Sequence, residues 1–547
     1  MVTTLRPGGI FAGLVVLFTA LLPTQGLAQC ASDKPSLLGA FPKGWGIDPT
    51  GSRFVNPQHT QINAGNVGQL QLKWVYGFAS DTQRSFPLVT EDTVFIGDAG
   101  LGLVALDRAN GCERWRNTDV GADVASAVLA RETDDALMLV IASREGGISA
   151  VDALSGRTLW EAEVEDEPVP WYSGSPLVVG DQIFVPISSQ EIALSMNPFY
   201  GCCKSSGGMA ALDADTGEQL WYAPTIKEEP KVTGRHLVFV EKWGPSGAPV
   251  WSAPSFDAAR GLLFFGTGEN YTAPATETSD AIIALDAGTG ERRWVRQFTA
   301  NDTFNMGCVI GGPNCPEDAG PDLDFGAPPI IATTPSGRDL VFAGQKSGAV
   351  YAMDPDTGDL VWSARPGRGG YLGGIHWGMA ADAKRGILYV PISDLPAGPY
   401  PENIPGAPGM FALDMEDGTI LWHTPRPVFD GQFFWPGLSA GIVAAEGMVL
   451  AGGLDGMILA YRATDGEVIW SFDSARTFGS VNGVKAQGAS IDSHGPLIAG
   501  DAVIVSSGYG GLQMKGGNAL LYFELASNPV PADAPANAGA AVTAAGQ

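Results

Sequence analysis

The sequence predicts an all-β chain folded as an eight-bladed propeller of four-stranded blades, and three observations carry that prediction. A pattern of Ala-hydrophobic-Asp, with Gly four residues and Trp eight residues after the Asp, recurs seven times at one spacing. A shortened eighth copy near the C-terminus is matched by a tryptophan-bearing, strand-like run near the N-terminus. Glycine supplies 73 of the 547 residues, beside 39 prolines, about twice its average usage and a sign of many tight turns rather than a helical bundle.

Taken in chain order, residues 1–29 read as a secretory leader. Arg6 lies in a short basic start, an apolar stretch covers residues 10–22, and Gly26-Leu27-Ala28 supplies small residues for cleavage. That stretch is too short to span a bilayer, and no later stretch reaches the roughly 18 apolar residues a membrane helix needs. A periplasmic or secreted protein is expected.

The repeat begins with Asp107/Gly111/Trp115 and continues at Asp152/Gly156/Trp160, Asp213/Gly217/Trp221, Asp286/Gly290/Trp294, Asp354/Gly358/Trp362 and Asp414/Gly418/Trp422. The seventh copy has Arg462 in place of the aspartate, then Gly466 and Trp470. Each copy reads as a strand ending in Asp, a turn whose Gly takes a positive φ, and a return strand carrying Trp. Two more strand candidates precede most copies, as in Ser175-Pro176-Leu177-Val178-Val179 and Gln182-Ile183-Phe184-Val185-Pro186. Four short strands per unit make a propeller blade. Successive aspartates are 45 (Asp107 to Asp152) to 73 (Asp213 to Asp286) residues apart, so insertions decorate a constant frame, and function is sought in them.

Ala519-Leu520-Leu521-Tyr522-Phe523-Glu524 stops before its glycine and tryptophan. The missing outer strand is supplied by Gln69-Leu70-Gln71-Leu72-Lys73-Trp74-Val75-Tyr76, which closes the ring without an open edge. The propeller is assigned to residues 30–527, and the Ala/Pro-rich tail 528–547 is read as disordered.

Charge and cysteine content bound the function. With 32 basic and 59 acidic side chains the formal charge is −27, which argues against nucleic acid and anionic membrane surfaces. Six cysteines in an exported chain predict three disulfides. Cys308 and Cys315 flank a turn-rich run that suits a local bridge. Cys202 and Cys203 are adjacent and pair with each other or each elsewhere; the first choice leaves Cys30 with Cys112. No Cys-x-x-Cys-His and no phosphate loop occurs, and five scattered histidines do not suggest a histidine metal centre.

The repeat resembles the tryptophan-docking motif of the quinoprotein alcohol dehydrogenases, whose eight-bladed propeller holds pyrroloquinoline quinone (PQQ) and calcium. Cofactor-free scaffold propellers share that repeat, so it speaks for fold alone. The insertions are more specific. Gly44-Trp45-Gly46, Asn56-Pro57-Gln58, Trp243-Gly244-Pro245-Ser246-Gly247-Ala248, Gly266-Thr267-Gly268-Glu269-Asn270-Tyr271, the run 314–322, Gly344-Gln345-Lys346-Ser347-Gly348 and Val481-Asn482-Gly483-Val484 are similar to the polyvinyl alcohol dehydrogenase branch. The likeness covers nearly all of the mature chain. Well-known members of that branch carry a cytochrome c domain, of which this sequence shows no sign.

The resemblance implies a set of site residues. Glu191, after Ser188-Ser189-Gln190, takes the place of the calcium-binding glutamate, and Asn270 that of the asparagine ligand, with Glu269 as the lesser candidate. Trp251, outside the repeat position, matches the tryptophan on which the quinone stacks. The pair Cys202-Cys203 corresponds to a vicinal disulfide over the other quinone face. Lys346 is the cation beside the quinone carbonyls, and Ser173 and Ser188 bind the PQQ carboxylates. The usual Asp-x-Trp-Asp run reads here as Asp302-Thr303-Phe304-Asn305, so Asn305 stands at the position of the base. Either Asp302 takes that role, or Asp324, in Asp322-Leu323-Asp324-Phe325-Gly326, approaches from the adjoining blade. His376-Trp377, in a glycine-rich insertion, is a candidate for the cleft wall.

The expectation is a PQQ- and Ca²⁺-dependent dehydrogenase that oxidises secondary alcohol groups, of a polyvinyl alcohol-like polymer or a related alcohol, to ketones. Electrons then pass to a separate soluble cytochrome c. The alternatives are a quinoprotein for sugars or primary alcohols, and a cofactor-free scaffold of the outer-membrane assembly type.

Overall fold

Among the described residues, hydrogen-bond ladders form eight antiparallel sheets arranged as blades and three further two-stranded sheets. The computed structural model describes Cys30 and residues 34–526, apart from 122, 125, 133–135, 145, 165–166, 397–400, 402, 428–434 and 512–513. The expected leader (1–29) and the tail (528–547) lie outside the described residues.

Blade 1 is built from Leu88–Val89, Thr93–Asp98, Gly102–Asp107 and Glu113–Asn117, in that order from the innermost strand outward. Blades 2 to 7 repeat the order, and end with the outer strands Thr158–Ala162, Gln219–Pro224, Arg292–Gln297, Leu360–Ala364, Ile420–Pro425 and Val468–Asp473. Blade 3 carries one further short strand, Pro170–Trp171, on Gln182–Ser189. In blade 8, Leu497–Ala499, Ala502–Ser507 and Ala519–Leu525 come from the C-terminal end and Leu70–Gly77 from the N-terminal end. Leu70 pairs with Leu525 and Gly77 with Ala519. The ring closes as the sequence predicts.

Burial follows position in the blade. Thr93–Asp98 and Gly102–Asp107 are buried at every residue, as expected of strands covered on both faces. The outer strand Thr158–Ala162 is only half buried.

Neighbouring blades are joined by the repeat itself. Trp74, Trp115, Trp160, Trp221, Trp294, Trp362 and Trp422 each lie on the repeat glycine of the next blade, from Gly111 to Gly466. A Cβ at any of these glycines would fall 2.5–2.8 Å from the indole. They also hold φ between 71° and 75°, so the glycine both turns the chain and leaves a flat seat for the ring. Six of the indoles donate to a backbone carbonyl of the following blade, as Trp294 Nε1 does to Pro355 O at 3.0 Å. That acceptor is the residue after the repeat aspartate, and for Trp422 it is Ala463, which follows Arg462. The aspartate holds the turn open for it by accepting from backbone N–H groups, as Asp213 Oδ1 does from Asp215 and Thr216. Trp470 instead meets blade 8 edge-on at Phe523, 5.7 Å away.

The antiparallel order also divides the ring into two faces. The repeat turns between third and fourth strands all fall on one face. On the other lie the turns between second and third strands and the connections from one blade to the next.

The cysteines pair as Cys30–Cys112, Cys202–Cys203 and Cys308–Cys315, bridges of the kind found in oxidising compartments. No helix among the described residues is long and apolar enough to cross a membrane.

Candidate active site

A cavity of about 350 Å³ opens on the face opposite the repeat turns. Its walls come from turns after second strands, which supply Arg144, Glu269, Tyr271, Lys346 and Tyr509. Connections between blades supply Trp171, Ser173, Trp251, Asp322, Asp324, His376, Trp377 and Asp492. Six blades contribute, so no local stretch of sequence contains the site.

One wall is charged. Oxygen atoms of Glu269, Asp322 and Asp324 lie within 4.8 Å of one another. The Lys346 ammonium donates to Asp322 Oδ1 and Asp324 Oδ2, each at 2.9 Å. Asp324 also accepts from Trp251 Nε1 at 2.9 Å and from the Glu269 backbone N–H at 3.3 Å. Lys346 Nζ stands 5.3 Å from the Trp251 ring centroid, within cation–π reach. Glycines make this approach possible. At Gly326 a side chain would enter the Trp251 ring, and at Gly268 a Cβ would meet the Asp324 carboxylate at 3.0 Å.

Electrostatics separates the three acids. Burial, and then the charges of Asp324 and Asp322, push the Glu269 carboxyl well above its ordinary range. Burial and Asp324 do the same to Asp322 against the pull of Lys346. Asp324 is held below the ordinary range, because Lys346 and its hydrogen bonds outweigh burial. Burial disfavours the Lys346 ammonium, yet Asp322, Asp324 and Glu269 hold its pKa above that of free lysine. Ionising Glu269 and Asp322 beside Asp324 and a single ammonium would leave a negative excess that a further cation would satisfy, and the all-oxygen donor set suits a hard ion such as Ca²⁺.

The remaining walls are largely aromatic. Trp377 and His376 stand edge-on to Trp251, with centroids 5.4 and 5.8 Å away. Burial, then the Lys346 charge, lower the His376 pKa to about 3, so its ring is neutral. The Arg144 guanidinium stacks 3.7 Å over Trp171, and its buried Nε has no hydrogen-bond partner among the described residues. Asp492, fully buried, is pushed up to about 7 by burial. Flat aromatic walls, an unspent arginine donor and the acidic cluster suit a planar, carboxylate-bearing cofactor with a divalent cation.

Of the residues singled out from sequence, Trp251, Lys346, Asp324, Glu269, Ser173 and Ser188 line this cavity, as do His376 and Trp377. Others stand behind it. Glu191 Oε1 accepts from Tyr200, and its Oε2 accepts from the Lys204 and Ser205 backbone and the Ser205 hydroxyl, at 2.6–2.7 Å. The Asn270 amide donates to Ser246 O and accepts from the Thr276 N–H. Both side chains are engaged in holding loops. Cys202 and Cys203 pack with Tyr271, Ile192 and Tyr200, and of these Tyr271 and Ile192 face the cavity. Asp302 accepts from the backbone N–H groups of Asp322 and Leu323, at 3.2 and 3.0 Å, and so fixes the segment carrying Asp322 and Asp324. Asn305 donates to Tyr271 O and Asn314 O and accepts from Gly307 N–H, a structural use of the residue at the expected base position.

The family model for the glucose/ethanol/alcohol dehydrogenase β-propeller domain matches residues 167–310. The model for outer membrane protein assembly factor BamB matches 61–238 and 406–524. A polyvinylalcohol dehydrogenase of Pseudomonas sp. is 36% identical over 529 residues, 93% of this chain and 81% of that protein. The chain belongs to the PQQ-dependent alcohol dehydrogenase family. A second polyvinylalcohol dehydrogenase, from Sphingopyxis sp., is 34% identical over 505 residues, 89% of this chain and 76% of that one. Among solved structures, a quinohemoprotein alcohol dehydrogenase of Pseudomonas putida superposes with a TM-score of 0.65 at 19% identity, covering 90% of this chain and 82% of its own. A europium-containing methanol dehydrogenase gives 0.62 at 18% identity, covering 88% and 98%. At such identities these structures bear on the fold alone.

In this PQQ-dependent alcohol dehydrogenase-like enzyme, insertions wall the cavity, and sequence reading missed Arg144, Trp171, Tyr271, Asp492 and Tyr509 as cavity residues. A signal existed for one of them. Of the 14 tryptophans, eight occupy docking positions, and three of the other six, Trp171, Trp251 and Trp377, line the cavity.

Proposed function

We propose that the enzyme oxidises secondary alcohol groups, of a polyvinyl alcohol-like polymer or a related alcohol, to ketones, with PQQ and Ca²⁺ as cofactors, and that a separate soluble cytochrome c receives the electrons. The observation that carries this reading is the meeting of Glu269, Asp322 and Asp324 with Lys346 and Trp251 on one wall of an aromatic cavity. Bound PQQ supplies an ortho-quinone able to accept two electrons.

The chain's own groups take distinct roles in this scheme. Glu269 and Asp322, whose ionised forms are costly without a cation, hold Ca²⁺, in place of Glu191 and Asn270. Asp324 is the acid kept ionised, so it accepts the proton of the alcohol hydroxyl, and Asp302 behind it sets its position. The Lys346 ammonium places a fixed positive charge where negative charge develops. Trp251 provides the stacking floor. Arg144, Ser173 and Ser188 bind cofactor carboxylates, and the Cys202–Cys203 pair backs the wall at Tyr271. The leader-like residues 1–29 and the three disulfides support work in the periplasm or outside the cell.

The test is reconstitution with PQQ and Ca²⁺, followed by dye reduction with polyvinyl alcohol, 2-butanol, ethanol and glucose. Turnover of polyvinyl alcohol and 2-butanol is the expected result. Activity on glucose alone would move the substrate to sugars, and failure to retain PQQ at micromolar concentration would overturn the enzyme's proposed chemistry.

A further inference from the structure

The insertions around the cavity mouth expose apolar side chains that neither the fold nor the chemistry uses. Three insertions are tied into one platform. Its centre is residues 195–206, where Asn314 Nδ2 donates to the Ser195 and Asn197 carbonyls, each at 3.1 Å, and joins it to the loop closed by Cys308–Cys315. On the other side, His236 Nε2 lies 2.8 Å from Pro198 O, and the Trp243 N–H donates to Cys202 O at 2.8 Å. These two bonds join the centre to the hairpin Lys231–His236/Val240–Gly244. On this platform Phe199 is 69% exposed, Val238 91%, Phe239 72%, Val309 62% and Ile310 59%. Scattered single residues of this kind are ordinary, whereas several on one set of linked insertions beside a site mark a binding surface.

Val309 also lines the cavity, as do Met306 of the same loop and Ile192 just before the central segment. Apolar surface therefore continues from inside the cavity to the platform outside. We propose that this platform binds the hydrocarbon backbone of a neutral, hydroxylated polymer on either side of the unit whose alcohol group enters the cavity. The inference rests on the proposed alcohol oxidation and names the part of the substrate that the cavity does not hold. A cavity of about 350 Å³ has room for a cofactor and one reacting unit, so the rest of a long chain must cross the rim. The platform also carries Lys204, Lys231, Arg235 and Lys242, of which Arg235 pairs with Glu241 at 2.7 Å and Lys204 lies 4.1 Å over the Trp243 ring, so what it leaves continuous with the cavity is apolar surface, which suits a hydrocarbon backbone.

The test compares holoenzyme with the Phe199→Ser/Val238→Ser/Phe239→Ser variant, and with Ile310→Ser as a second, independent change. Polymer retention is read by co-sedimentation without turnover, and KM and kcat are read for polyvinyl alcohol and for 2,4-pentanediol, its two-unit analogue. The triple variant should raise KM for the polymer about tenfold, leave the diol within about twofold, and weaken polymer retention to match. Equal effects on both substrates, or no effect on the polymer, would overturn the proposal. So would a loss confined to cytochrome c reduction with the dye-coupled rate intact, which would assign the platform to the electron acceptor. If wild-type holoenzyme oxidises the diol but not the polymer, the platform fails and alcohol oxidation stands. If neither is oxidised, yet polymer retention depends on the platform, the oxidation fails and the platform stands.

Discussion

Asp302 and Asp324 show how neighbouring acids of one loop acquire different duties. Asp324 faces the cavity and is ionised by Lys346, while Asp302 spends both oxygens on the backbone of the segment that carries Asp324. Asp324→Asn should lower kcat by about 10²–10⁴ with PQQ retained, whereas Asp302→Asn should cost about tenfold or less. Stopped-flow reduction of the holoenzyme measures both, and the reverse ranking would exchange the roles. A second acid, Glu167, bears on stability. Burial raises its carboxyl to about 8, and its Oε1 has no partner among the described residues. The unfolded chain releases that proton near 4.5, so the stability this group contributes is complete below 4.5 and is lost as the pH rises to about 8. Glu167→Gln should leave Tm unchanged at pH 4.5 and raise it at pH 8, by up to about 2–4 kcal/mol of stability, as thermal melts across that range would show. Such duties were only partly legible in the sequence. Trp251, Lys346 and Glu269 stand in short motifs, but Arg144 and Asp492 have no local pattern and gain meaning only where six blades converge. Asp302 heads a run resembling a catalytic one, and only the folded chain shows that it points at backbone.

At the scale of the element, the blade was readable because its physics repeats. The Asp caps a turn, the Gly turns it and seats a ring, and the Trp reaches the next blade, so three residue types at fixed spacing encode both a hairpin and a joint. The insertions have no such period, and the platform of residues 195–206 with its two neighbours could not be assembled from sequence. The joint can be tested at blade 5. Gly358 holds φ at 72°, and the nearest Trp294 atom would be 2.7 Å from an added Cβ. Gly358→Ala should therefore destabilise the protein by about 2–4 kcal/mol, from overpacking and from the left-handed backbone together. Trp294→Phe should cost less, since it frees the seat but leaves Pro355 O without its indole donor. Urea unfolding of the two variants gives the ranking, and equal stability of Gly358→Ala and wild type would refute the seat.

For the whole molecule, closure and charge matter most. Deleting residues 519–526 removes the partner of Leu70–Gly77 and opens two strand edges, so the truncated chain should aggregate and lose its cooperative melt. Size-exclusion chromatography and circular dichroism report that result. The net charge of −27 predicts that reduction of a basic cytochrome c slows as salt rises from about 10 to 200 mM, while reduction of an uncharged dye does not. A flat salt response with the cytochrome would remove charge steering from the account.

The separation of faces has a practical side. Every repeat turn lies on the surface turned away from the cavity, so a cysteine or an affinity tag placed in one of those exposed turns would fix the molecule to an electrode or bead with its mouth toward the solution. Orientation on a sensor surface is thus set by the same seven-fold pattern that first revealed the ring.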